Sequence, residues 1–148
     1  YLLFVKETPL GGRDGEGIFA ASAFAREFQA TGIRDSRKRS LRDFELSDRI
    51  FRYPCSYLIY SSAFDALPEP AKGYVYRRLL DVLTGADQSA DFEHLAQQDR
   101  EAILSILLET KQGLPAEWRA YALRAGALRL LRVRRGAQQG LVVLQYRD

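Results

Sequence analysis

Two amphipathic segments constrain the fold of this chain more than any other feature of its sequence. The first carries two adjacent stripes of apolar residues spaced three and four apart, formed by Val75, Leu79 and Val82 and by Tyr76, Leu80 and Leu83. The second runs from about Gln97 to Lys111 with apolar residues Ile103, Leu104, Ile106, Leu107 and Leu108. Such spacing places apolar side chains on one face of an α-helix. The sequence therefore predicts two helices that bury their apolar faces and end at Thr84-Gly85 and near Gly113.

A third helix and a short fourth one are predicted nearer the N-terminus. Phe24 and Phe28 belong to a helical pattern that starts at Ile18, and Thr31-Gly32 predicts its end, with Gly32 in the left-handed cap conformation. Ser40 is a candidate N-cap for a short helix that runs toward Ile50 and Phe51.

For two apolar segments, the sequence does not distinguish a helix from a strand. Cys55–Phe64 is the most apolar and aromatic run, and we favour a helix that starts at Pro54 while a strand stays an alternative. Tyr1–Lys6 has the composition of the end of a helix or a strand. With helices on either side, the predicted fold is mainly α, as a compact helical bundle or an orthogonal helical array.

The charge of the chain divides near Trp118. The 148 residues carry 22 Lys and Arg against 19 Asp and Glu, a formal net charge of +3. Up to Trp118 there are 15 basic and 18 acidic residues, and beyond it seven Arg and one Asp, so the two parts carry −3 and +6. We predict a helical module over residues 1–118 and an arginine-rich tail over residues 119–148. For the tail we favour a β-hairpin of residues 128–135 and 141–147 over a helix from Glu117 to Arg135.

Three interpretations of the arginine-rich tail stay open. We rank first a structural tail whose apolar residues pack and whose Arg side chains are solvated. Second is a shifted reading frame, because a chain with 18 Arg, 4 Lys, no Asn and no Met is typical of a GC-rich gene. Third is a contact with nucleic acid, in which Arg side chains pair with phosphates.

Composition excludes several classes of protein. With 47% hydrophobic and 28% charged residues, the chain is neither a disordered nor a fibrous protein. Its single cysteine excludes an internal disulfide, and no spacing of His, Cys and acidic residues predicts a metal or cofactor site. No apolar run approaches the ~18 residues of a membrane span. Because the chain begins at Tyr1 and contains no Met, we expect a fragment or processed product of a longer protein.

Cys55 and His94 are the candidate catalytic residues. A thiol acts as a nucleophile when a nearby imidazole favours its thiolate form. The aromatic surroundings of Cys55 in the sequence instead favour a buried thiol that behaves as a small apolar group.

A basic segment over residues 34–52 is the candidate anion site. Its seven basic residues are Arg34, Arg37, Lys38, Arg39, Arg42, Arg49 and Arg52, and tyrosines follow at 53, 57 and 60. All of the seven except Arg49 are candidate anion-binding residues. Basic and aromatic side chains together bind phosphates and stack on bases. Asp35, Asp43, Glu45 and Asp48 are interleaved and compete for the same cations. We therefore rank a surface of ion pairs ahead of an anion site.

One pattern in the chain resembles a known family. It consists of RDS at 34–36, SLRDF at 40–44, FRYPCSYLIYS at 51–61, FDALP at 64–68 and YRRL at 76–79. The pattern is similar to the C-terminal part of large, uncharacterised bacterial proteins, some of them exported. The resemblance covers residues 1–118 and implies a bacterial protein whose compartment stays open. No activity is assigned to the family, so the resemblance implies no site residues.

These observations predict a non-catalytic helical module with a structural or interaction role. Its predicted partner is the upstream region of the same protein. Leu2, Leu3 and Phe4 should pack against the helices, and an exposed apolar patch should mark the missing neighbour. The alternatives are an anion or nucleic-acid binding module that uses the basic segment and the tail, and a cysteine-dependent enzyme that uses Cys55.

Overall fold

The computed structural model describes residues 1–10 and 22–126, and these are mainly α-helical, as predicted. One unit comprises residues 1–113 and a second begins at Leu114. The first unit contains α1 (Ala23–Ala30), α2 (Ser62–Asp65), α3 (Glu69–Leu83) and α4 (Gln97–Thr110). Short 3-10 helices lie before α2 at Tyr57–Tyr60 and between α3 and α4 at Ala90–Phe92. In the second unit, residues 116–126 are helical.

Helices α3 and α4 lie where the apolar stripes predict them and supply much of the core. Their buried side chains are Tyr76, Leu79, Val82 and Leu83 on α3, and Ile103, Leu104, Ile106 and Leu107 on α4. Burying one such Leu or Ile stabilises a fold by roughly 1.5–3 kcal/mol. The first turn of α3 contains Pro70. Proline is tolerated there because backbone N–H groups in the first turn have no partner within the helix. Gly85 follows the helix in the left-handed conformation, with φ 78°.

Helix α1 begins at a serine cap and ends where the sequence predicts. The hydroxyl of Ser22 accepts a hydrogen bond from the Ala25 N–H at 3.1 Å, and the helix gives way to Thr31. The prediction of a left-handed Gly32 is wrong, because the left-handed glycines of the described residues are Gly85 and Gly113. Gly32 lies instead against the Ser40 side chain, where a Cβ would stand 2.3 Å from the Ser40 Oγ.

The short helix predicted from Ser40 toward Phe51 is absent, and residues 43–52 form a hairpin turn instead. Phe44 pairs with Phe51 in an antiparallel bridge, and the Leu46 N–H donates to the Arg49 carbonyl at 2.8 Å. Ser40 does cap one turn, since its hydroxyl accepts the Arg42 N–H at 3.2 Å, and its own N–H donates to the Asp43 carboxylate at 2.9 Å. The chain then reverses direction. The pairing of Phe44 with Phe51 is stabilised by stacking of their rings, whose centres lie 5.6 Å apart on one side of the turn.

The apolar segment after Pro54 is helical but not one continuous helix. Ser56 caps the 3-10 helix, and Ser61 caps α2 by accepting the Phe64 N–H at 3.1 Å. Ser61 itself is extended, with φ −75° and ψ 150°, so it separates the two helical turns. Serine side chains favour such caps over helix interiors because they bond to nearby backbone groups.

Residues 1–7 form two consecutive turns, so the prediction of a helix or strand end is wrong. The Phe4 N–H donates to the Tyr1 carbonyl and the Glu7 N–H to the Phe4 carbonyl, both at 3.0 Å. Phe4 and Lys6 have φ of 50° and 61°, which neither an α-helix nor a strand contains.

Several predictions concern residues outside the described ranges. They are the start of the first helix at residues 18–21, and the β-hairpin of residues 128–147. The alternative helix from Glu117 agrees with the helical residues 116–126, and its continuation to Arg135 lies beyond them.

Candidate functional site

Cys55 is buried in the core and its thiol is protonated at neutral pH. Its side chain has 0% exposure, and burial raises the pKa of the thiol to about 12. A reactive cysteine needs the opposite conditions, a lowered pKa and access to solvent. The environment of Cys55 therefore supports the role of a small apolar side chain.

His94 lies on the surface, where its Nε2 is 2.8 Å from the Leu3 carbonyl oxygen. It lines a polar cleft of about 420 Å³ that is also lined by Pro54 and not by Cys55. Charged side chains of both signs line this cleft, among them Glu45, Asp48 and Arg49. Arg49 also donates two hydrogen bonds to Asp99, which does not line the cleft, at 2.8 and 3.1 Å. The hydrogen bond to Asp99 raises the pKa of Arg49 despite its burial. His94 thus serves in the described chain to hold the N-terminal residues.

Asp35 organises the first half of the basic segment. Its carboxylate accepts the backbone N–H groups of Arg37 at 3.0 Å and Arg39 at 2.8 Å, and the Arg39 Nε at 2.7 Å. Burial alone would raise the pKa of Asp35, but hydrogen bonds from Arg39 and Arg37 and the charge of Arg39 outweigh it and lower that pKa. The Arg39 guanidinium also donates to Ser105 of α4 at 2.9 Å. The basic loop is therefore attached to α4 by its own charged groups.

Arg34 and Arg42 are likewise occupied by groups of the protein. The Arg34 guanidinium pairs with Asp43 at 2.9 Å and donates to the Gln29 carbonyl at 3.1 Å. The Arg42 guanidinium lies 5.0 Å from the ring centres of both Phe28 and Tyr57. Cations over aromatic rings in this way stabilise a fold by about 0.5–2 kcal/mol. These contacts favour a structural role for both arginines.

Arg37, Lys38 and Arg52 complete the six candidate anion-binding residues. All three are exposed, and Arg52 lies 5.9 Å from the ring centre of its neighbour Tyr53. Among the described residues, the ion pairs of the basic segment involve Arg34, Arg39 and Arg49. The structure thus brings Arg34, Arg39 and Arg42 into contact with acidic, serine or aromatic side chains and leaves Arg37 and Lys38 exposed, and the anion site stays a prediction.

The N-terminal residues pack onto the module, Leu2 and Leu3 beside α3 as predicted and Phe4 against the hairpin turn instead of a helix. Leu3 is only 4% exposed, and the Ser56 N–H donates to the Leu2 carbonyl at 2.7 Å. The Phe4 ring stacks on Phe51 with 5.7 Å between ring centres. Phe51 in turn contacts Phe28, Phe44 and Tyr57, so this segment joins an aromatic cluster.

An apolar groove of about 340 Å³ lies between these N-terminal residues and α3. We call it the α3 groove. Leu2, Leu3 and Val5 line one side, and Tyr74, Val75 and Leu79 line the other. Tyr74 is 63% exposed, and Tyr1 at the same groove is fully exposed. A large aromatic side chain exposed beside a row of aliphatic ones is typical of a docking surface.

Tyr74 is the candidate functional residue that the sequence analysis missed. The two stripes of α3 account for its buried residues, and Tyr74 belongs to neither stripe. An aromatic residue next to an apolar stripe but outside it is a signal that could have directed attention to this surface.

Only residues 119–126 of the arginine-rich tail belong to the described residues. The Arg124 Nε donates to the Ala120 carbonyl at 3.2 Å within the helical residues 116–126. The arginines at 129, 132, 134, 135 and 147 lie outside the described residues.

Comparison of the chain with protein-family models, curated proteins and solved structures finds no match in any of the three. Among the described residues, no three or more His, Cys, Asp and Glu side chains are grouped so that they could hold a metal ion. The helices in the same residues are all too short or too polar to cross a membrane.

Proposed function

We propose that residues 1–113 form a non-catalytic docking module whose partner is the polypeptide that precedes Tyr1 in the parent protein. The observation that carries the proposal is the α3 groove. Helix α3 buries Leu79 and Val82 in the core, yet leaves Tyr74 largely exposed beside them. A partner that covers Tyr74 would remove this apolar surface from water, which stabilises an interface by roughly 25 cal/mol per Å².

The position of Tyr1 supports a partner from the same chain. Tyr1 is fully exposed and lines the groove, so a polypeptide joined to its nitrogen would arrive beside Tyr74. A tether of this kind gives an effective concentration of about millimolar, so a small apolar surface is enough for docking. The buried Cys55 and the protein contacts of Arg34, Arg39 and Arg42 give the enzymatic and anion-binding alternatives less support.

Site-specific photocrosslinking in the parent protein tests the proposal. p-Benzoylphenylalanine replaces Tyr74 in one variant and Leu58 in another, and mass spectrometry maps the adducts. Leu58 is the matched control, because it is an apolar residue 54% exposed and does not line the groove. We expect position 74 to crosslink to residues that precede Tyr1 and position 58 not to do so. Equal yields at both positions, or adducts at 74 with other proteins alone, would contradict the proposal.

A further inference from the structure

We infer that residues 1–7 form a latch that closes one side of the α3 groove and opens independently of global unfolding. The inference concerns regulation of the proposed docking surface and so rests on the proposed function. We call these residues the N-terminal latch. It holds the groove's second wall, since Leu2, Leu3 and Val5 belong to it.

Hydrogen bonds and packing contacts keep the latch closed. Two hydrogen bonds to its backbone carbonyls hold its centre, from the Ser56 N–H to Leu2 at 2.7 Å and between the His94 Nε2 and Leu3 at 2.8 Å. The side chain of Leu3 is buried, and the ring of Phe4 stacks on Phe51. Because these contacts involve one short segment, breaking them costs less free energy than unfolding α3 and α4 with their buried apolar faces.

The backbone of the closed latch is strained at two positions. Phe4 and Lys6 have φ of 50° and 61°. In this left-handed region the Cβ of a residue other than glycine crowds the following carbonyl oxygen. Opening lets both residues relax to ordinary backbone conformations. The strain therefore opposes the contacts of Leu3 and Phe4 and raises the population of the open state.

Opening changes the surface available to a partner. It removes Leu2, Leu3 and Val5, which form one wall of the groove. The side chains of Leu79 and Val82, which are buried in the closed state, then lose their contacts on that side. A partner docked against Tyr74 contacts the complete groove only when the latch is closed. Docking and closure therefore favour each other, because a ligand that binds one of two states shifts the population toward that state.

Amide hydrogen exchange in the 148-residue chain measures the opening directly. The reporter is the Ser56 N–H, which is bonded to Leu2 of the latch, and the reference is the N–H of Leu107, a fully buried residue in the interior of α4. We expect the Ser56 amide to have a lower protection factor than the Leu107 amide. A Ser56 amide as strongly protected as Leu107 would show that the latch opens by global unfolding alone, and would overturn the inference.

Two substitutions of Lys6 change the strain in opposite directions. Glycine adopts positive φ freely, whereas a β-branched residue does not. Lys6→Gly should slow exchange at Ser56 roughly fivefold and Lys6→Val should speed it roughly fivefold. Equal Ser56 rates in the two variants would overturn the inference.

Exchange of the Ser56 amide also distinguishes a failure of the latch inference from a failure of the docking proposal. In the parent protein, Ser56 exchange should be several-fold slower than in the 148-residue chain if docking favours closure, and an equal rate would contradict the coupling. The exchange results of the Lys6 variants do not depend on a partner. The latch can therefore fail while the Tyr74 crosslinks stand, and the reverse outcome is equally visible.

Discussion

Single side chains hold the loop between α1 and the hairpin turn in place. Ser40 is almost fully buried, its N–H donates to Asp43, and its hydroxyl accepts the Arg42 N–H at 3.2 Å. Gly32 lies against this hydroxyl without any side chain of its own. The loop therefore depends on a close approach that the presence of Gly32 permits.

Replacing Gly32 should destabilise the fold although its backbone is ordinary. The Cβ of Gly32→Ala would stand 2.3 Å from the Ser40 Oγ and 3.1 Å from the Gln29 carbonyl oxygen, so the buried Ser40 must move. We expect a loss of about 1–3 kcal/mol in the free energy of unfolding, measured with urea. Gly73→Ala is the control, because nothing lies within 4 Å of its Cβ. Alanine in a helix interior should stabilise by about 0.5–1 kcal/mol. A neutral Gly32→Ala would contradict the close packing of Ser40.

Alkaline pH should destabilise the fold through Cys55. Its pKa rises from 9.0 to about 12 on burial, so above pH 9 the unfolded chain releases a proton that the folded chain keeps. The contribution is therefore fully present below pH 9 and is lost as the pH rises toward 12. The expected slope is roughly 1.4 kcal/mol per pH unit for this group.

Comparison with Cys55→Ala isolates this slope from the other titrating groups. Tyr60, whose pKa burial raises to about 12, contributes to both proteins. Unfolding free energies from urea titrations between pH 8 and 11 should therefore fall more steeply in the unsubstituted chain. Parallel pH profiles would show that the Cys55 thiol ionises in the folded protein, against its burial.

At the scale of elements, periodicity predicts the long helices and misses the turns. α3 and α4 are predictable because each repeats apolar residues over several turns, and burial of that stripe dominates their stability. The hairpin turn follows instead from the Ser40–Asp43 hydrogen bond and from the pairing of Phe44 with Phe51. The first is a bond between backbone and side chain and the second a pairing of backbones, and a hydrophobic pattern contains no information about either.

Arg100 shows a second kind of interaction that periodicity cannot predict. Its guanidinium donates to the backbone carbonyls of Leu95, Val82, Asp87 and Phe92, and so joins the end of α3 and the following loop to α4. In the sequence, Arg100 is only one charged residue in the first turn of a helix. Its guanidinium has several N–H donors in one plane, and these bond to carbonyls that have no partner within a helix.

Arg100→Lys should therefore destabilise the connection between α3 and α4 even though it retains the charge. A lysine ammonium cannot reach carbonyls in several directions at once. We expect a loss of about 2 kcal/mol in the free energy of unfolding. Arg78→Lys is the matched control, because Arg78 is half-exposed and pairs with Asp87 alone among the ion pairs of the described chain. That variant should lose less than about 1 kcal/mol. Equal losses would show that the four carbonyls do not depend on the guanidinium.

For the molecule as a whole, the division of charge does not identify the candidate site. The net charge of +3 combines an acidic part up to Trp118 with an arginine-rich part after it. Within the basic segment, acids take up Arg34 and Arg39. The candidate surface is instead apolar, and it forms where the N-terminal turns meet α3. The packing of Leu3 was predictable from its sequence, whereas the exposure of Tyr74 depends on which tertiary contacts cover α3.

Hydroxyl-radical footprinting tests the proposal that a region preceding Tyr1 covers the α3 groove. Side-chain oxidation is measured by mass spectrometry for Tyr74 and Leu58 in the 148-residue chain and in the parent protein. Both side chains are exposed in the chain, at 63% and 54%. If the groove is covered, oxidation of Tyr74 falls several-fold in the parent protein while that of Leu58 stays the same. Oxidation of Tyr74 at an unchanged rate in the parent protein would show that nothing covers the groove.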